Sequence, residues 1–158
     1  MTQQSSALTL ADAGAESKSV GPPAPYTLKD AFPEVDSGMG SVFGSRILVQ
    51  IRVPSKYTKG GIAIPEESRE TERWNTQVSK VIQLGPVAYR NRDTLELWPE
   101  GEWVAPGMYV RTPKYAGDRW EVPQVGSLDK VLFGLFDDLD FGGEIPAEMV
   151  LTVVAYIP

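Results

Sequence analysis

The alternation of apolar and polar residues constrains the fold of this chain more than any other feature. Ile47, Val49, Ile51 and Val53 alternate with other residues up to Pro54, a pattern typical of a half-buried strand. No stretch of the chain has a convincing helical period. Further strand-like stretches, separated by Gly and Pro turns, occupy residues 76–84, 108–112, 119–122, 131–136 and 150–157. Modest strands at regular intervals predict an all-β fold, and specifically a small β-barrel.

Residues 1–44 differ in composition from the rest and predict an extended N-terminal arm ahead of a barrel domain at 45–158. Ser, Ala, Thr and Gly dominate the first part of the arm, and a Pro-rich spacer follows at residues 21–25. Tyr26 and Phe32 belong to a set of scattered apolar residues without a period. Such a segment buries too little apolar surface to offset its ordering entropy, so we expect it to be disordered in isolation. Tyr26 and Phe32 would then bind a neighbouring protein; the alternative is an inert leader.

The residue types that are absent exclude several kinds of function. The 158 residues include no Cys and no His, so thiol nucleophiles, Cys/His zinc sites and His-dependent triads are excluded. The net charge of −6 argues against non-specific nucleic-acid binding. No apolar run approaches the ~20 residues that span a bilayer, and the N-terminus lacks a secretory pattern. We expect a soluble non-enzymatic protein that uses no cofactor and binds neither nucleic acid nor membrane.

One acidic group is the best candidate for a metal site. Asp137, Asp138 and Asp140 could bind Ca²⁺ through oxygen ligands. Loop carboxylates are usually only solvated, and the spacing of a calcium-binding loop is not present. We therefore expect neither a metal site nor a catalytic site, although the sequence leaves metal binding by these aspartates open.

The stretch most suggestive of function follows the first strand. Gly60 and Gly61 precede the apolar residues Ile62, Ala63 and Ile64, and Pro65 ends the run before a long polar stretch to Trp74. Adjacent glycines lose much backbone freedom on ordering, so this 60–65 loop, together with the polar residues to 73, is predicted to be mobile. A mobile loop with a few apolar side chains suits docking into a groove on a partner. The alternative is an ordinary hairpin with Ile62 and Ile64 in the core.

Residues 87–103 predict a hairpin or excursion that carries an aromatic pair. Trp98 and Trp103 flank a Pro-Glu-Gly turn. Two tryptophans that cap the end of a barrel are more common than a binding platform, so we favour the capping role.

Four motifs, in order, resemble the GroES-like chaperonin-10 family. They lie at residues 58–66 (TKGGIAIPE), 78–85 (VSKVIQLG), 104–110 (VAPGMYV) and 113–117 (PKYAG). The resemblance implies a β-barrel of about a hundred residues that assembles into a seven-membered dome. It also implies that Ile62, Ala63 and Ile64, hinged at Gly60 and Gly61, are presented to the apical grooves of a chaperonin ring.

Several departures from the family pattern favour a different use of the fold. Ala63 stands where a larger aliphatic residue is usual, the N-terminal arm is additional, and residues 137–146 look like an insertion. Together with residues 90–93, 98–101 and the ending at 155–157, these features resemble GroES-like proteins encoded by tailed phages.

Two functions follow, and the arms favour the first. The chain is predicted to be a virion component, a capsid decoration or cement protein that forms homo-oligomers and binds the major capsid protein or other virion subunits. The alternative is a genuine co-chaperonin of the host cytoplasm that caps a GroEL-like chaperonin through residues 60–65.

Overall fold

A computed structural model describes residues 25–58, 60–124, 126 and 130–153, and its main feature is one antiparallel sheet. The sheet contains five strands in the order β3-β2-β1-β5-β4. Their bounds are β1 Arg46–Ile51, β2 Val78–Leu84, β3 Tyr109–Arg111, β4 Asp118–Pro123 and β5 Lys130–Asp137. The helices of the described ranges are α1 Leu28–Ala31 and α2 Glu66–Asn75, with 3₁₀ turns at Asp138–Asp140 and Ala147–Met149. The predicted all-β class is confirmed.

The central strand β1 is buried on both faces. It lies between β2 and β5, with Ile47 opposite Leu84 on one side and Phe136 on the other. The face that carries Ile47, Val49 and Ile51 packs into the largest apolar cluster. Leu48 and Gln50, on the other face, are only 1% and 4% exposed. The expectation of a half-buried strand is therefore wrong, because a further layer of chain covers the second face.

That layer is the segment at residues 25–44. Ala31 and Phe32 form an apolar cluster with Val78, and Val42 packs with Leu48 in another. The Gln50 side chain donates to the Pro33 carbonyl at 2.7 Å, so the polar atom on the covered face has a partner. The segment at residues 25–44 of the arm that was expected to be disordered in isolation is thus packed on the sheet of its own chain in this structure. Residues 1–24 of the predicted arm lie outside the described residues.

Short-range hydrogen bonds explain why this segment orders without a sequence period. Thr27 caps α1: its hydroxyl accepts from the Asp30 backbone N–H at 3.3 Å, while the Thr27 N–H donates to the Asp30 carboxylate at 2.9 Å. The indole N–H of Trp120 donates to the Ser37 carbonyl at 2.9 Å. These hydrogen bonds fix the backbone near Thr27 and at Ser37, so apolar burial has less ordering entropy to offset.

The aromatic residues of the 87–103 excursion close one side of the main cluster. The ring of Tyr89 lies 5.5 Å from that of Trp98 and 5.3 Å from that of Trp103. Trp98 packs against the core, and Trp103 is 37% exposed with its indole N–H on the Glu100 carboxylate. The structure therefore supports the capping role for the tryptophans.

The end of the described chain differs from the predicted final strand. Residues 150–153 form turns and a bend instead of a strand, and Val150 is buried in the cluster that contains Phe32. Residues 154–158 of that prediction lie outside the described residues. The stretch at 137–146 folds onto its own sheet: Phe141 and Ile145 are buried, and Glu144 bridges to Val110.

Candidate protein-docking site

The 60–65 loop forms the turn and returning arm of a short hairpin. The Gly61 N–H donates to the Thr58 carbonyl at 3.0 Å, and Gly61 has φ +84°, a left-handed conformation that glycine adopts at low cost. Two cross-strand bonds follow, from Thr58 N–H to the Ile62 carbonyl at 2.8 Å and from Ile64 N–H to the Lys56 carbonyl at 2.9 Å. These bonds give the loop one defined shape.

The hairpin presents apolar side chains to solvent. Ile62 is 70% exposed, Ala63 is also exposed, and Ile64 is partly buried. The alternative of an ordinary hairpin is therefore right for the backbone. It is wrong for Ile62, whose side chain is not in the core. An exposed large apolar side chain on a well-defined turn is a feature of binding surfaces when it belongs to a contiguous patch.

Pro65 connects the loop directly to α2. It occupies the position before the first helical residue, with φ −58° and ψ 147°. Glu66 and Glu67 lie in the first turn of the helix and Arg73 in the last, as the helix dipole favours. The expected mobile loop to residue 73 is therefore wrong beyond Pro65, where the chain is a ten-residue helix.

Two arginines form the buried side of α2. Arg69 and Arg73, four residues apart, are 5% and 3% exposed and face the same side of the helix. Arg69 binds the Glu66 carboxylate at 2.7 Å, and Arg73 lies 3.5 Å from it. Sequence reasoning missed this helix because its buried positions are charged. The signals that could have found it are Pro65, the acidic start and the arginine spacing.

A charged contact joins α2 to Arg52, the residue that follows β1, and through Arg52 to the end of the described chain. The Arg52 side chain lies 3.8 Å from the Glu72 carboxylate and donates to the Val150 carbonyl at 2.5 Å. Burial raises the pKa of the Glu72 carboxyl, and nearby Arg52 opposes that shift. We call this contact between Arg52 and Glu72 the base of α2; it joins two charged side chains that are largely removed from water.

Tyr26 and Phe32 lie away from the 60–65 loop. The Tyr26 hydroxyl donates to the Val53 carbonyl, and burial raises its pKa, with Arg52 and Glu72 among the charges that act on it. Phe32 is 5% exposed, with its ring 5.3 Å from that of Tyr109. The structure therefore brings Tyr26 to the base of α2 and Phe32 into an internal cluster. Binding of a neighbouring protein by either side chain stays a prediction.

The acidic group Asp137, Asp138 and Asp140 lies at the end of β5, and two of its carboxylates accept hydrogen bonds from backbone N–H groups. The Asp138 carboxylate accepts from the Tyr89 N–H at 2.9 Å, and the Asp140 carboxylate accepts from the Asp137 N–H at 3.0 Å. Asp137 lies 4.0 Å from Arg46. Within the described residues no group of three carboxylates is placed to hold a metal ion. Neither helix in that part of the chain has the length and apolar character of a membrane span.

Comparison with known protein families decides the identity of the fold. The profile described as Chaperonin 10 Kd subunit matches residues 41–128. The chain belongs to this family. The match includes the 60–65 loop, α2 and strands β1 to β4 of the GroES-like fold. No curated protein matches the chain. Members of the family are non-enzymatic co-chaperonins that form oligomers and partner with GroEL-like chaperonins.

Proposed function

We propose that this GroES-like chain is a non-enzymatic co-chaperonin subunit that docks on a chaperonin ring through residues 60–65. The observation that carries the proposal is Ile62, 70% exposed at the turn of a hairpin inside the family match. In this role Ile62, Ala63 and Ile64 contact an apolar groove, and Gly60, Gly61 and Pro65 set the shape and the limits of the turn.

Oligomerisation makes weak contacts sufficient. One small apolar tripeptide buries little area, so a single loop binds weakly. Subunits that are linked in a ring present their loops together, and the effective concentration of each further loop is high. The complex can then be tight while each contact remains easy to release, which a reversible cap requires.

The test measures ring binding with a matched pair of substitutions. Purified protein is mixed with a GroEL-like chaperonin and ATP, and co-elution is followed by size-exclusion chromatography. Ile62→Ser should abolish co-elution, whereas Leu139→Ser, which replaces a 65% exposed side chain on the Asp138–Asp140 turn, should leave it unchanged. Unchanged binding by folded Ile62→Ser protein would overturn the proposal.

The second candidate is a capsid decoration or cement protein of a tailed phage, which would lie in the virion and not in the host cytoplasm. Its main argument was an arm that orders on neighbours, and the packing of residues 25–44 on their own sheet weakens it. Tyr26 and Phe32 could reach a capsid subunit only if this segment left the sheet. What still favours the candidate is Phe43, a large apolar side chain outside the docking loop that is 77% exposed and that a fixed assembly would cover.

Deletion of residues 1–24 tests the second candidate and removes none of the described residues. A longer deletion would remove Ala31 and Phe32, which are 0% and 5% exposed. The virion role predicts that the shortened protein folds, forms the same oligomer and no longer attaches to capsids that lack the protein. Retained attachment would exclude residues 1–24 as the anchor, and failure of the full-length chain to attach would exclude the virion role.

A further inference from the structure

The strand that faces the docking loop carries an exposed aromatic residue. Tyr57 forms a bridge with Ala63, and its side chain is 45% exposed. The cross-strand bonds run between the residues on either side of this pair, from Thr58 to Ile62 and from Ile64 to Lys56. Tyr57 and Ala63 are therefore a non-hydrogen-bonded pair, the arrangement in which opposite side chains come closest.

The two faces of the hairpin have different compositions. Opposite residues in an antiparallel pair share a face, and successive residues along a strand alternate between faces. Ile62 and Ile64 therefore lie on one face, and Ala63 lies on the other with Tyr57 beside it. On the second face the smallest apolar residue of the loop is next to a large aromatic one.

The backbone at Tyr57 is held by a local contact. The Ser55 hydroxyl accepts from the Tyr57 N–H at 3.2 Å and donates to the Tyr57 carbonyl at 2.8 Å. Pre-ordering of this backbone lowers the entropy that a partner must overcome when it immobilises the hairpin. Tyrosine also loses little side-chain entropy for its contact area, which is why it is common in binding surfaces.

We propose that Tyr57 is a fourth docking residue, which supplies on the Ala63 face the apolar area that alanine lacks. The inference rests on the proposed docking of residues 60–65. The occupant is a groove on the chaperonin with an apolar floor that is wide enough for both arms of the hairpin. The helix α2, which follows the loop directly, exposes Glu67 and Glu70. A basic margin on the groove would attract these carboxylates and orient the hairpin in the groove, so the proposal includes such a margin.

The experiment compares substitutions on the two hairpin faces in the full-length protein. Binding to an immobilised GroEL-like chaperonin with ATP is measured for the wild type, Tyr57→Ser, Tyr57→Phe and Ile62→Ser. Tyr115→Ser is the matched control, because it removes an 87% exposed tyrosine elsewhere. We expect Tyr57→Ser to weaken apparent affinity about tenfold or more, which corresponds to a loss of about 1.4 kcal/mol or more in binding free energy. Tyr57→Phe and Tyr115→Ser should bind as the wild type does.

A rescue substitution separates docking from hairpin stability. If the ring supplies area that Ala63 lacks, Ala63→Val should restore part of the affinity in Tyr57→Ser protein and add less in the wild type, since the two sites are then coupled. If Ala63→Val changed the affinity equally in Tyr57→Ser and wild-type protein, the Tyr57 ring would not be supplying the area that Ala63 lacks. Urea denaturation of each variant should give an unchanged midpoint, because the substituted side chains are exposed.

The outcomes distinguish this inference from the proposed function. Full binding by Tyr57→Ser with loss of binding by Ile62→Ser would overturn the role of Tyr57 alone. Absence of wild-type binding would overturn both proposals. Affinity should fall as NaCl rises, because screening weakens the contact between the acidic turns of α2 and a basic margin; an affinity independent of salt would exclude that margin.

Discussion

The central sheet and the segment at residues 55–75 are built from opposite kinds of contact. In β1, Ile47, Val49 and Ile51 are 0% exposed and pack against other apolar side chains. Among the described residues of the 55–75 segment, Ile62 at the turn is in solvent, and the buried side chains are Arg69 and Arg73. The comparison indicates that the sheet supplies the stability of the fold, whereas the segment supplies an accessible surface.

We expect the segment to be weakly held, for an electrostatic reason. The contacts of α2 with the rest of the chain bring guanidinium groups out of water, a cost that ion pairing offsets only partly. The buried Nε of Arg73 has no hydrogen-bond partner among the described residues. Since α2 begins one residue after the docking loop, such a weak attachment lets the loop adjust to a partner without disturbing the sheet.

The largest effect on stability is expected in the sheet. Ile47→Ala removes a fully buried side chain from the main cluster and should lower the free energy of unfolding by about 2–5 kcal/mol, through lost burial and a residual cavity. Urea denaturation followed by tryptophan fluorescence would measure it. A loss below about 1 kcal/mol would mean that the sheet does not dominate stability.

Alternation and turn residues predict the sheet well, because side chains along a strand point alternately to its two faces and the buried face is apolar. The first five predicted strands are present, and their bounds differ by a few residues from β1 to β5. The second face of β1 could not be predicted, because Leu48 and Gln50 are covered by residues that are distant in sequence. Gln50 in particular reads as a solvent position, although its amide is buried on the Pro33 carbonyl.

The sequence predicts the apolar loop of the candidate site. It does not predict the helix that follows, whose buried positions are charged. Ile62 was identified because adjacent glycines and an apolar run have a physical meaning in sequence. Tyr57 was not identified, because only the pairing across the hairpin places it beside Ala63. Helix α2 was missed for a related reason: its buried side is marked by arginines, which hydrophobic periodicity assigns to solvent.

Substitution of a buried arginine tests the weak attachment of α2. Arg73→Met keeps an unbranched side chain of similar length and removes a desolvated charge, while its ion-pair partner Glu66 has a side chain that is 66% exposed and is not left buried. We expect the free energy of unfolding to rise by about 1 kcal/mol. Glu70→Met, at an exposed position of the same helix, controls for helix propensity and should change it by less than about 0.5 kcal/mol. A clear loss of stability for Arg73→Met would show that the guanidinium contacts hold the helix.

The pH dependence of stability tests the contact at the base of α2. Burial raises the pKa of the Glu72 carboxyl above its usual 4.5, so the folded chain holds this proton more tightly than the unfolded chain. Ionisation of Glu72 then costs stability as the pH rises from 4.5 through the raised pKa. Glu72→Gln removes that loss, so the difference in unfolding free energy, variant minus wild type, should become more positive between pH 4 and pH 7. The exposed Glu67→Gln is the control for loss of one charge; a difference that falls with pH would mean that Arg52 stabilises the ionised carboxylate overall.

The smallest effect on stability is expected at the docking loop itself, and it completes the comparison with Ile47→Ala. Ile62→Ala makes the same chemical change at a side chain that is 70% exposed, so it removes little buried area and leaves no cavity. The unfolding free energy should change by less than about 0.5 kcal/mol, while binding to a GroEL-like chaperonin weakens. Stability and binding would then separate between two isoleucines of one chain. If Ile62→Ala instead destabilised the fold as Ile47→Ala does, the loop would be packed against its own chain in solution and could not present Ile62 to a partner.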